Sequence, residues 1–267
     1  MDKLKLYDDT PVRIFTASGD VYEGDVLYHS PEYSLQEYGR PEAALQLDER
    51  LFFAADIASV EALEEGRDAV SFHIVPERDF RTTAWSGGVT TQFLICPREA
   101  EYDDRDFLWR VSSATVEAGE SDFTALPDYY RFITTLSGEM VLSHNAGPEI
   151  HLPPFKIHCF DGIDTTRSRG RCTDFNLMLR KGKAQGRLEL LELGETPRLM
   201  LPETAAEDTL FYCAKGEAVL TASIGPHTVR FTIREGDVFL IEGVNPQPFT
   251  LEAVTPARLI MARVGRI

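Results

Sequence analysis

Short runs of β-branched and aromatic residues, broken every few positions by Gly, Pro, Asn or Asp, fill most of the chain. Trp109–Val116, Arg131–Leu136, Met140–His144, Asp174–Leu179, Leu210–Ala214, Ala218–Thr221, Val229–Ile233, Val238–Ile241 and Arg258–Val264 all read as strands. The punctuation between them includes Ser137-Gly138-Glu139, Asn145-Ala146-Gly147-Pro148 and Glu235-Gly236-Asp237. No 10–15-residue helical pattern alternates with these runs. That argues against a parallel α/β sheet and predicts an all-β sandwich or jelly roll.

One stretch occurs twice in altered form. Phe132–Leu142 resembles Leu210–Leu220: an apolar strand, a small residue followed by Gly-Glu, then a second apolar strand. Read as a hairpin, this unit resembles the strand–turn–strand of cupin jelly rolls. The run Arg234-Glu235-Gly236-Asp237-Val238-Phe239-Leu240-Ile241 resembles a later cupin strand with its Gly-Asp turn. Two copies imply two fused jelly-roll barrels, a bicupin.

The first seventy residues follow a different plan. Val12–Thr16 reads as a strand, Ser18-Gly19-Asp20 as a turn, and Val21–His29 as a strand bent at Gly24. Ala43–Leu47 and Leu51–Phe53 follow, and Ala54–Glu61 reads as one turn and a closing strand. This is the plan of a small SH3- or Sm-like β-barrel. The polar stretch Leu63–Asp68 reads as a linker, so the boundary falls near residue 66. The expected domains are 1–66, the small barrel, and 67–267, the bicupin.

The net charge is −16, and residues 1–70 alone carry 16 acids against 6 bases. Nucleic acids and anionic membranes need a basic face, so neither is an expected partner. A pocket for a small anion is still open, because local charge governs it. The 267-residue chain has no apolar run near the ~18 residues needed to span a bilayer, and Met1–Asp9 has no signal-peptide core. With Cys96, Cys159, Cys172 and Cys213 far apart and lacking a C-x-x-C spacing, the expectation is a cytoplasmic protein with four buried thiols.

Metal and nucleophile signals are thin. Of His29, His73, His144, His151, His158 and His227, no two stand two apart as a catalytic cupin's H-x-H requires. His158-Cys159 with Cys172 fits no common zinc spacing, and no G-x-S-x-G is present. No metal or cofactor is expected. The adjacent glycines of Trp85-Ser86-Gly87-Gly88 suit a tight turn, either structural or contacting a ligand.

Polar residues on strand faces are the stronger pattern. Alternation puts Arg110, Ser112 and Ala114 on one face, Asp174, Asn176 and Met178 on another, and Thr90 with Gln92 on a third. Arg131 begins a further strand. Directed inward, these faces make a polar pocket in which arginine takes a carboxylate bidentately and Asn or Gln meets amide edges. Directed outward, they are a solvated surface, with Phe175, Leu177 and Leu179 filling the barrel. Alternation defines the two faces but does not choose between them.

At these same residues the sequence resembles the HutD/Ves family. The matching elements are Trp85–Gln92, Phe107–Ala114, Tyr130–Gly138 and Thr173–Arg180, in order, within roughly residues 72–265. Departures are Gln92 at the family's usual acid, Tyr130 at the Asp before the hairpin Arg, a reordered Phe160-Asp161-Gly162, Leu126-Pro127-Asp128 in place of Phe-Pro-Gly, and an insertion within Gly119–Thr124. The resemblance implies a non-catalytic binder of a small carboxylate metabolite. Such a protein would moderate histidine utilisation, with urocanate or a formylated glutamate as the class of ligand. It implies inward faces, with Arg110 or Arg131 for the carboxylate, Gln92, Ser112 and Asn176 for the other polar groups and Trp85 as an apolar wall; Thr90 and Asp174 complete the expected site.

Two other functions stay open. One is a metal-free isomerase, lyase or hydrolase with Asp174 as general base. The other is an interaction module in which the acidic N-terminal barrel recruits a partner of unknown identity. A homodimer that hides sheet edges is the expected assembly.

Overall fold

The computed structural model describes residues 3–63, 69–201, 208–224, 226–243 and 247–267. The described residues are predominantly β-strand. The expected boundary near residue 66 and all of the expected linker except Leu63 fall on 64–68, outside the described residues. Among the described residues no helix is long and apolar enough to cross a membrane.

The N-terminal unit comprises β1 (Thr10–Thr16), β2 (Val21–His29), α1 (Pro31–Tyr38), β3 (Ala44–Leu47), β4 (Arg50–Phe53) and β5 (Ile57–Ala62). β1 pairs with β2 and β5, β2 with β3, and β3 with β4, all antiparallel. Val12, Ile14, Tyr22, Val26, Leu45, Leu47 and Phe52 form its apolar core. Across the β1–β2 pair, buried Arg13 meets buried Glu23 at 2.6 Å. The sequence reading contains no helix here, although the signals for α1 are present. The Ser30 hydroxyl accepts from the Tyr33 amide, Pro31 starts the first turn, and Gly39 ends the helix in the left-handed region.

The first jelly roll is built from two sheets. One contains β7 (Arg81–Trp85), β8 (Gly88–Cys96), β9 (Trp109–Val116), β11 (Tyr129–Gly138), β14 (His158–Asp161) and β16 (Cys172–Arg180), in the order β14-β11-β16-β9-β8-β7. The other contains β10 (Glu120–Asp122), β12 (Met140–His144), β13 (Glu149–Leu152) and β15 (Thr166–Arg169), in the order β10-β15-β12-β13.

The second jelly roll is formed by β17 (Ala184–Leu193), β18 (Arg198–Met200), β19 (Asp208–Ile224), β20 (His227–Arg234), β21 (Val238–Glu242) and β22 (Phe249–Arg266). One short strand, β6 (Ser71–Ile74), pairs with β21 on one side and touches β2 on the other. The N-terminal strands thereby extend the second barrel's sheet.

The repeated unit differs from the expected hairpin. β11 and β12 do not pair with each other; the chain steps from one sheet to the other between them. In the second copy, β19 runs without interruption, and its register against β22 shifts three times between Cys213 and Ala218. The equivalent glycines have the same conformation, with φ 71° at Gly138 and 79° at Gly216. Each lies against a carbonyl of the paired strand, Arg171 and Pro256 respectively, where a Cβ would collide. A positive-φ glycine marks a bulge as readily as a turn: Gly216 bends a continuous strand, and Gly138 ends β11 where the chain crosses to the second sheet.

The cysteines also depart from expectation. None of the four forms a disulfide among the described residues, and only Cys172 and Cys213 are buried. Cys159 is exposed because β14 alternates, with Phe160 taking the inward position.

Substituting either kink glycine by alanine forces a side chain into the left-handed region against a carbonyl. Gly138→Ala and Gly216→Ala are each expected to lower stability by roughly 1–3 kcal/mol in urea unfolding. A loss below about 0.5 kcal/mol at both would contradict the shared-kink account.

Candidate functional site

Register brings the polar faces together. β9 and β16 pair Arg110 with Met178, Ser112 with Asn176 and Ala114 with Asp174. β8 adds Gln92 opposite Ser112 and Thr90 opposite Ala114. β11 places Arg131 opposite Met178 on its other side. The result is three rows across the sheet: Thr90–Ala114–Asp174, Gln92–Ser112–Asn176, and Arg110–Met178–Arg131. The two arginines stand two strands apart, about 10 Å at the backbone.

The opposite face is not solvent. Phe175, Leu177 and Leu179, with Phe93, Trp109 and Val111, pack against Leu188, Leu210, Leu240 and Ile260 of the second barrel. That apolar seam consumes the outer face, so the polar rows line the interior. There they surround a cavity of about 370 Å³ that Trp85, Thr90, Gln92, Arg110, Ser112, Arg131, Asp174 and Asn176 all line. The sequence expectation thus has all eight residues in one place.

Hydrogen bonds order the cavity wall. The Arg110 Nε–H donates to Gln92 Oε1 at 2.6 Å, and its Nη1–H to Ser112 Oγ at 3.0 Å. Arg131 Nη2–H donates to Asn176 Oδ1 at 3.1 Å. Asn176 Nδ2–H in turn donates to Asp174 Oδ1 at 3.2 Å, which also accepts the Ala114 amide. Arg131 Nε is buried without a hydrogen-bond partner.

Burial dominates the electrostatics. Arg110, Arg131 and Asp174 are 6%, 7% and 3% exposed. Burial pulls the Arg110 pKa down to about 10 and also lowers that of Arg131. It raises the Asp174 carboxyl to about 6, although Asn176, the Arg131 charge and the Ala114 amide pull it back. With Asp174 ionised, this wall carries two positive charges and one negative.

Sequence reasoning missed the aromatic partners. The Arg110 guanidinium lies 4.3 Å from the Tyr102 ring centre, and Arg131 lies 4.7 Å from that of Phe123. Tyr102 comes from a short 3-10 turn and Phe123 from the segment after β10, so strand alternation does not reveal either one. A histidine pair is equally invisible to it. His144 and His158, fourteen apart in sequence, meet Nε2 to Nε2 at 2.9 Å on β12 and β14. Burial lowers both pKa values, and an N–H of one ring donates to the ring nitrogen of the other. Neither lines the cavity. Among the described residues, no three His, Cys, Asp or Glu side chains cluster as metal ligands do.

Two jelly rolls in one chain, the first with a polar cavity and the second filled by apolar side chains, define a bicupin. The family model described as HutD matches residues 77–261. The chain belongs to the HutD family, which is associated with histidine utilisation. Solved structures agree on the fold. A conserved protein of unknown function from Pseudomonas aeruginosa is 22% identical with a TM-score of 0.62, over 73% of this chain and 98% of that one. HutD from Pseudomonas fluorescens, in a formate condition, is 20% identical with a TM-score of 0.59, over 73% and 99%. Oxalate decarboxylase from Bacillus subtilis is 8% identical with a TM-score of 0.50, over 73% and 76%. No curated protein matches the sequence.

The Asp174 carboxyl gives a pH signature. Between about pH 4 and pH 6, the folded chain keeps a proton that the unfolded chain has released, so this residue's contribution to stability falls as pH rises through that window. Asp174→Asn is therefore expected to be more stable than the parent at pH 7.5, with the advantage shrinking towards pH 4. Urea unfolding at both pH values checks this; a pH-independent difference would contradict it.

Proposed function

We propose that the first-barrel cavity binds a small carboxylate metabolite without transforming it, and that the protein moderates histidine utilisation in the cytoplasm. The ligand class is that of urocanate or a formylated glutamate. One observation carries this reading: two buried guanidiniums face a single buried carboxyl, and one of them has an unmatched buried N–H. An unpaired buried donor costs about 1–3 kcal/mol, and a ligand carboxylate removes that cost with charge-assisted bonds. Gln92, Ser112 and Asn176 supply polar edges, Trp85 an apolar wall, and Thr90 a hydroxyl. The cavity volume of about 370 Å³ lies within the range of small-molecule sites. Four cysteines, none of them in a disulfide, suit a reducing compartment.

The Asp174 carboxyl, raised to about 6, supports a second reading. A base that titrates near neutrality suits a metal-free isomerase, lyase or hydrolase acting on the same class of acid. Product analysis after long incubation separates the two, since a binder returns its ligand unchanged.

A melting-temperature panel tests the binding claim, using urocanate, formylglutamate, formiminoglutamate, glutamate and histidine. A true ligand at about a hundred times its Kd adds ~2.7 kcal/mol, roughly 5–10 °C in a chain of this size. Arg110→Ala is expected to keep the fold and cost about 2–5 kcal/mol of affinity, abolishing the shift at the same concentration. A shift that survives in Arg110→Ala would remove the carboxylate from this cavity.

A further inference from the structure

A second and larger cavity, about 820 Å³, lies where the N-terminal unit meets the bicupin. Its floor is polar and well ordered. Glu242, at the end of β21, holds Arg50 of β4 at 2.8 Å and Arg98 at 2.9 Å. Burial would raise the Glu242 pKa, but the two guanidiniums outweigh it and hold the carboxyl at about 2. Arg50 uses only Nη2 in this pairing, and Arg98 only Nε and Nη2, so each fork keeps further donors.

Beside them lie Tyr22 and His73, stacked with ring centres 4.9 Å apart. His73 is 2% exposed, and its Nδ1 has no hydrogen-bond partner. Burial and the neighbouring arginines keep this imidazole neutral, with a pKa of about 3. Burial likewise holds the Tyr22 phenol in its protonated, donating form. A buried unpaired ring nitrogen in a native fold calls for an explanation.

The rim has the opposite sign. Asp48, Glu49, Asp79 and Glu99 are exposed there. Arg78 stands 3.8 Å from Asp79 and Arg81 pairs with Glu101, which leaves Asp48, Glu49 and Glu99 as the rim's excess negative charge. A simple anion would cross this acidic rim, and a simple cation would meet two guanidiniums on the floor. A molecule with a carboxylate at one end and an ammonium group at the other satisfies both layers. Leu51, Phe52 and Pro76 supply apolar wall for a side chain.

We propose that the cleft between the N-terminal unit and the bicupin is a second ligand site that takes a free amino acid. The carboxylate lies on the Arg50–Arg98 floor, and the ammonium group faces the acidic rim. This site is separate from the first-barrel cavity. The two share a wall, since Arg81 and Gln92, partners across β7 and β8, line both.

Calorimetric titration of the full-length protein with each of the twenty protein L-amino acids tests this. Acetate and methylammonium serve as single-charge controls. At least one amino acid is expected to bind saturably and at least tenfold more tightly than either control. Arg98→Gln and Tyr22→Phe should each weaken it at least fivefold, while Arg131→Ala, whose side chain does not touch the shared wall, leaves it within twofold. Tyr22→Phe keeps the ring stack and stays decisive if Arg98→Gln fails to fold. The proposal is overturned if none of the twenty binds saturably, if acetate binds equally well, or if Arg131→Ala alone removes the binding. That last outcome would place the amino acid in the first-barrel cavity.

Discussion

Two guanidinium groups held inside a β-barrel are a costly feature of this fold, and much of the first jelly roll is arranged around them. Desolvating a charge costs several kcal/mol unless neighbours replace the lost water. Gln92, Ser112 and Asn176 each accept a guanidinium hydrogen, and the Tyr102 and Phe123 rings lie beside the cations. Asp174 supplies the balancing carboxyl through Asn176. The compensation stops short at Arg131 Nε. The carboxylate proposed for this cavity would supply the acceptor and the second negative charge that the wall lacks.

The second barrel shows what the same architecture does without that demand. Its strand kinks at Gly216 as β11 does at Gly138, but Phe211, Leu220, Phe231, Ile233 and Leu259 close the interior. Apolar filling stabilises that half, and its outer face gives the first barrel a seam to rest on. The polar rows therefore face inward because the apolar rows behind them have a better partner than water. The N-terminal unit is tied to this frame through β6 and through the contact between Glu61 and His227 at 2.7 Å. It also meets the bicupin at the Arg50–Glu242–Arg98 cluster, where its own Arg50 pairs with Glu242 of β21.

Much of this is legible in the sequence, for a physical reason. Side chains two apart share a strand face, so alternation alone pairs Arg110 with Ser112, Asp174 with Asn176 and Thr90 with Gln92. Which face lies inside depends on long-range packing of Phe175 and Leu177 against Leu210 and Ile260, and alternation contains no record of that. The repeat around Gly138 and Gly216 is visible, yet the same glycine signal serves a turn and a bulge. Tyr102, Phe123 and the His144–His158 contact come from segments far apart in the chain. The cleft around His73 is equally hidden, since it needs two units of the fold at once.

The central claim is that the paired guanidiniums of the first barrel receive a carboxylate. The most direct measurement is a crystal structure of the protein soaked in saturating formate, the smallest carboxylate. The account predicts one formate in the first-barrel cavity, with oxygens about 3 Å from Arg131 Nε or from the free Nη of Arg110. Ordered water alone beside both guanidiniums at saturation would contradict it.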